Sequence, residues 1–137
     1  LHSSPPRRSS DLILRVLKPG GIFLTQQVGA ENDRDLVEPL LNPAQPLPFP
    51  EQYLDIARKK LEFLGLRILK AQESFQPIRF WDTGALVWFA RIIAWEFPGF
   101  SVEACREQLL NAQALLERDG VLQGTAHRYF LVAEKVG

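Results

Sequence analysis

The pattern of the chain predicts an α/β fold. Three apolar runs of strand length, Ile22 to Val28, Leu66 to Phe75 and His127 to Lys135, are separated by stretches whose apolar residues recur every three or four positions. Pro or Gly marks most of the changes from one period to the other. The 137 residues are one domain's worth of polymer, and 46% hydrophobic against 23% charged residues is the composition of a globular chain, not a disordered one. Sixteen basic residues balance sixteen acidic ones, which excludes a general electrostatic grip on nucleic acid or on an anionic membrane and leaves only local patches. One cysteine, Cys105, cannot build an internal disulfide framework, and two His with one Cys make no spaced set of metal ligands.

Residues 1–11 have no periodicity and read as a disordered or non-native leader, separate from a domain over residues 12–137. No apolar stretch of signal-peptide character follows Arg7 and Arg8, so the chain reads as cytoplasmic. The most apolar run, Thr83 to Ala94, falls short of the roughly 20 residues that cross a bilayer and contains Arg91; it reads as a buried or lid helix.

Taken in order, Leu12, Ile13, Val16 and Leu17 have helical spacing, and Lys18-Pro19-Gly20-Gly21 stops that helix and turns the chain into a strand. Ile22 to Val28, apolar on both faces at its start, fits a central strand covered on both sides. Gly29 to Pro50 carries five prolines and reads as one long irregular loop of the kind that is usually functional. Glu51 to Leu64 is a helix with one apolar stripe, stopped by Gly65. Leu66 to Phe75 is more polar and suits an edge. Asp82 or Thr83 caps an apolar helix ending near Trp95. After Pro98-Gly99, Ser101 caps a further helix with Val102, Cys105, Leu109, Ala112 and Leu116 on its stripe, closing near Asp119-Gly120. His127 to Lys135 is apolar on both faces and belongs in the middle of the sheet, antiparallel between the other two strands.

The segment Leu17-Lys18-Pro19-Gly20-Gly21-Ile22-Phe23-Leu24 also resembles the approach to the fifth strand of class I S-adenosylmethionine-dependent methyltransferases. Thr25 to Gly29, Glu31 to Leu36, Arg79 to Ala85 and Phe130 to Lys135 are similar to one bacterial branch of that family, so the resemblance runs from Leu12 to Val136. It implies the last three strands of a Rossmann-like methyltransferase sheet with flanking helices, and a whole protein that transfers a methyl group from S-adenosylmethionine to an acceptor. The family's Gly-x-Gly-x-Gly cofactor loop and the acidic residue ending its second strand are absent from this chain. What the resemblance implies is therefore a C-terminal fragment, inactive alone, that supplies the substrate side and lacks the N-terminal half of its domain.

Gln26, Gln27, Glu31, Asn32 and Asp33 stand at or beyond the C-terminal end of the first strand, where open α/β sheets place ligands. Their amides and carboxylates suit binding of an acceptor, Gln26, Gln27 and Asn32 foremost; the bland alternative is a solvated loop start. Arg79, Phe80, Trp81 and Asp82 offer aromatic faces and an ion pair to an acceptor, or serve as a helix cap with core anchors. His127 reads as a surface histidine at a strand start, and His2 falls in the leader. Neither the catalytic residues nor the class of acceptor is legible. A reading of another kind is a non-catalytic α/β interaction module that docks a partner through the loop Pro39 to Pro50 and the helix Thr83 to Trp95.

Overall fold

A computed structural model describes residues 12–41 and 46–137 of the chain. The expectations for the leader 1–11, for His2 and for the middle of the proline-rich loop lie outside the described residues. Residues 12–16 form a helical turn, α1. There follow β1 (Ile22–Val28), α2 (Arg34–Leu40), α3 (Leu54–Phe63), β2 (Leu66–Phe80), α4 (Thr83–Ile92), α5 (Arg106–Asp119) and β3 (Leu122–Lys135). The strands form one sheet in the order β1-β3-β2, with β3 antiparallel to β1 from the pair Ile22·Glu134 to the pair Val28·Arg128. The last strand thus holds the middle position expected of a strand apolar on both faces, and the more polar β2 lies at an edge.

Five boundaries differ from expectation. Gly29 to Pro50 is not a single loop, because α2 forms inside it despite Pro39. Pro39 lies inside the helix, one residue from its end, at a cost of about 3 kcal/mol. Burial of Leu36, Val37, Leu40 and Leu41 contributes about 1.5–3 kcal/mol for each side chain and outweighs that cost. Helix α3 starts at Leu54 and not at Glu51, since Gln52 is engaged elsewhere: its carbonyl accepts from the Ala30 N–H (2.8 Å) and its Oε1 from the Tyr129 hydroxyl (2.6 Å). Strand β2 runs past Pro77 to Phe80, which an outer strand tolerates where a central one would lose a ladder bond. Strand β3 starts at Leu122, five residues before His127. Helix α4 also stops early, at Ile92, and tight turns over 93–97 bury Glu96 and Phe97.

The chain divides into two compact units, residues 12–30, 49–74 and 128–137 in the first and 31–41, 46–48 and 75–127 in the second. In the first, Leu61, Leu66, Tyr129, Leu131 and Ala133 are buried, with Leu14, Leu17, Phe23 and Leu54 packed on them. The Lys-Pro-Gly-Gly turn is sewn to the end of β3: Gly20 N–H donates to the Lys135 carbonyl (2.8 Å) and Lys135 N–H to that of Gly21 (3.0 Å). Gly20 has φ +80°, a value that favours glycine. The Lys135 ammonium closes α1 by donating to the carbonyls of Leu14 and Leu17. Strand β1 is not covered on both sides as expected; it pairs with β3 alone among the described residues, and Ile22, Leu24 and Val28 are exposed.

In the second unit Leu36, Val37, Phe80, Leu86, Ala90, Phe97, Cys105 and Leu109 lead the core. Asp82 caps α4, its Oδ1 accepting from Ala85 N–H at 2.7 Å. Ser101 caps only a turn, with Oγ accepting from Ala104 N–H, and α5 itself begins after Cys105, which is buried as its spacing predicted. Gly120 ends α5 at φ +79°.

Candidate functional site

In the second unit the residues after β1 form a buried polar cluster instead of a solvated loop start. Asp33 adopts φ 62°, the one left-handed non-glycine backbone among the described residues, which a short polar side chain tolerates. That turn lets the Asp33 carbonyl accept from Leu36 and Val37 N–H at 2.9 Å and start α2. Asp33 N–H donates to the Thr125 carbonyl, and the Asp35 carboxylate accepts from both Thr125 N–H (3.0 Å) and its hydroxyl (2.8 Å). Leu36 lies over Gly124, where a Cβ would come within 2.5 Å of its side chain.

Asn32 stands at the centre. Its Nδ2 donates to Asp33 Oδ2 and to Glu96 Oε2, both at 2.9 Å, and its Oδ1 accepts from His127 N–H at 2.8 Å. His127 Nδ1 accepts from Glu31 N–H at 3.1 Å, and Phe75 stacks on the imidazole with centroids 4.2 Å apart. Asn32 and Glu96 are 7% exposed, Asp33 1% and His127 0%. The surface position expected for His127 is therefore wrong: it shares the inward parity of Tyr129, Leu131 and Ala133. Glu96 Oε1 is buried with no hydrogen-bond partner among the described residues.

The expected acceptor residues divide between the units. Gln26 and Gln27 belong to the first, opposite Phe130 and Tyr129; both are exposed, and Gln27 Nε2 donates to Thr25 Oγ1 (2.7 Å). Asn32, Phe80, Trp81 and Asp82 belong to the second. Phe80 is buried against Phe89, which meets Phe97 edge-on beside Glu96, so Phe80 is a core anchor. Asp82 is a cap, and Trp81 is 69% exposed. Arg79 donates through Nε to Gln123 Oε1 (3.1 Å).

Glu96 and the polar role of His127 were missed from sequence. A carboxylate inside the apolar stretch Ala94 to Phe100 was the available signal for the first, and strand parity for the second. A separate open groove of about 650 Å³ has Leu36, Leu40, Leu86 and Leu122 on its floor and Asp35 and Gln123 on its rim. That volume is in the range of small-ligand sites. None of the acceptor residues expected from sequence lines it, while Pro39 and Leu86, from the loop and helix of the docking alternative, do. At its rim the Arg118 guanidinium, hydrogen-bonded to Asp119, holds that carboxyl below its usual range. Among the described residues no group of three His, Cys, Asp or Glu is placed to hold a metal, and no helix is long and apolar enough to cross a membrane.

No protein-family model matches the chain, and no curated protein does. Among solved structures it resembles a crystal structure of a "putative methyltransferase" from Bacillus halodurans C-125, with a TM-score of 0.56 and 17% sequence identity. The likeness covers 96% of this chain but 58% of that one, so the chain spans less than two thirds of its neighbour's length. The fold is methyltransferase-like.

Proposed function

We propose that this chain is the C-terminal part of a class I, Rossmann-like methyltransferase domain that uses S-adenosylmethionine, and that it carries the acceptor side of the site. The main support is the sheet: an antiparallel last strand inserted between two others, entered through Lys-Pro-Gly-Gly, in a chain whose fold matches 58% of a methyltransferase-like neighbour. Methyl transfer from a sulfonium asks the protein to orient an acceptor and exclude water. Each unit by itself offers exposed groups suited to the first task, the amides at the end of β1 in the first and Trp81 in the second.

The adjacent glycines Gly20 and Gly21 donate their N–H groups to Lys135 and Lys18, and a Cβ on Gly21 would meet the Lys18 carbonyl at 2.8 Å, so the pair builds a turn and not a cradle. The cofactor loop belongs to the upstream half in this reading, and the 137-residue chain alone is inactive. Calorimetric titration tests it with two proteins, the chain as it stands and a polypeptide extended upstream. Micromolar binding of S-adenosylmethionine, about 8 kcal/mol, is expected for the extended form only. The same affinity in the short chain, or none in the extended one, overturns the proposal.

A further inference from the structure

The open groove of about 650 Å³ lies wholly within the second unit and sets an apolar floor against a polar rim. Buried leucines from three elements make the floor: Leu36 and Leu40 of α2, Leu86 of α4 and Leu122 at the start of β3. Part of the rim is already satisfied within the chain. Gln123 accepts from Arg79 through its Oε1. The Arg118 guanidinium donates to both carboxylate oxygens of Asp119, at 2.8 and 2.9 Å. Arg118 is the one cation among the described residues that line the groove, and this pair neutralises it.

Asp35 stands apart from these. Its carboxylate lies exposed on the rim and accepts from the Thr125 N–H and hydroxyl, both uncharged groups, and no ion pair forms on it among the described residues. The unit around it carries ten Asp and Glu against five Lys and Arg, so its field is negative. On the same rim Gln108 and Asn111, one turn apart on α5, have side-chain amides bonded to no other described residue. A neutral occupant would cover the Asp35 carboxylate and bring no counter-charge, which is unfavourable. An anion would meet that carboxylate with no unpaired cation to hold it. An amine on an apolar body meets both conditions. The leucine floor takes the body, and the ammonium brings three N–H donors and a positive charge to a rim of one carboxylate and two amide oxygens.

We propose that this groove is a binding site for a small cationic amphiphile, an organic amine with an apolar body, and that Asp35 selects its charge. The site shares no residue with the expected acceptor groups, so it stands whether or not the chain serves methyl transfer. The test is a titration of the chain, followed by amide NMR, with three compounds of one body and different heads: 4-phenylbutylamine, 4-phenylbutan-1-ol and 4-phenylbutanoate. The amine is expected to bind roughly two- to fivefold more tightly than the alcohol, and the carboxylate more weakly than either, with shifts on α2, α5 and the start of β3. High salt should narrow the gap. Asp35→Asn, which keeps one oxygen for Thr125, should bring the amine down to the alcohol while the alcohol still binds. Leu115→Trp, which fills the groove from α5, should weaken all three compounds with the circular dichroism unchanged. The ranking in the parent decides even if a variant folds poorly. No saturable binding, an alcohol or carboxylate as tight as the amine, shifts confined to other surfaces, or an amine preference that survives Asp35→Asn would each overturn the proposal.

Discussion

Replacing Asn32 by alanine tests whether the polar cluster holds the second unit together. The side chain supplies two donors to buried carboxylates, at 2.9 Å each, and one acceptor to the buried His127 amide at 2.8 Å. A hydrogen bond to a charged group contributes about 1.5–3 kcal/mol, and stranding a buried N–H costs about 1–3 kcal/mol. The sum, roughly 4–9 kcal/mol, is an upper bound because water enters and neighbours relax, so a loss of about 3–5 kcal/mol is expected. Against a usual total of about 5–15 kcal/mol this moves the urea midpoint far enough for circular dichroism to read it easily. A double-mutant cycle with Glu96→Gln should show coupling of about 0.5–3 kcal/mol, since that change lessens what Asn32 must satisfy. An Asn32→Ala variant within about 0.5 kcal/mol of the parent, or a cycle that closes at zero, would refute this account of the cluster.

Gly124→Ala should destabilise by about 1–3 kcal/mol, since its Cβ meets three side-chain atoms of Leu36 at 2.5–3.1 Å; unchanged urea unfolding would show that Leu36 yields freely. The Tyr129 phenol is raised above its usual value, first by burial and then by the Glu73 carboxylate. Its contribution is full below about pH 10, where the unfolded phenol is still protonated, and is lost as pH rises through the folded value. Absorbance titration should show one late phenol that Tyr129→Phe removes; two phenols titrating together at the usual pH would contradict it. Leu24→Lys on the open face of β1 should reduce aggregation of the isolated chain at high concentration, and no change in turbidity would mean that this strand is not the sticky surface.

The sheet was the legible part of the sequence because strand order follows from which faces are apolar. Phe130 and Val132 on one side of β3 and Tyr129, Leu131 and Ala133 on the other permit only a middle position, and the structure shows it there. Helix α2 was not legible, since Leu36, Val37, Leu40 and Leu41 are too few for a periodic signal and Pro39 argues against them. Its cause is tertiary: Asp33 turned into the left-handed region and a carboxylate fastened to Thr125. The polar cluster was half legible. Asn32 was singled out for its place after a strand, but its partners Glu96 and His127 lie 64 and 95 residues away, a distance that no local pattern spans.

The geometry also separates the expected acceptor residues by what their removal can do. Asn32 has both donors engaged and is buried, Phe80 anchors the core and Asp82 caps α4. Gln26 and Trp81 are exposed. Losing Phe80 to alanine should cost about 3–5 kcal/mol and losing the Asp82 cap about 0.5–2 kcal/mol, with activity per folded molecule changed little. Gln26→Ala and Trp81→Ala should leave unfolding within about 0.5 kcal/mol of the parent, because neither residue supports the core. Whichever of the two binds an acceptor, its loss appears in the upstream-extended enzyme as a raised KM for that acceptor. Thermal melting beside acceptor-dependent kinetics reads both axes at once. Raised KM in the Asp82→Ala variant at full stability, with Gln26→Ala and Trp81→Ala silent, would place the acceptor against the start of α4 and reverse the assignment.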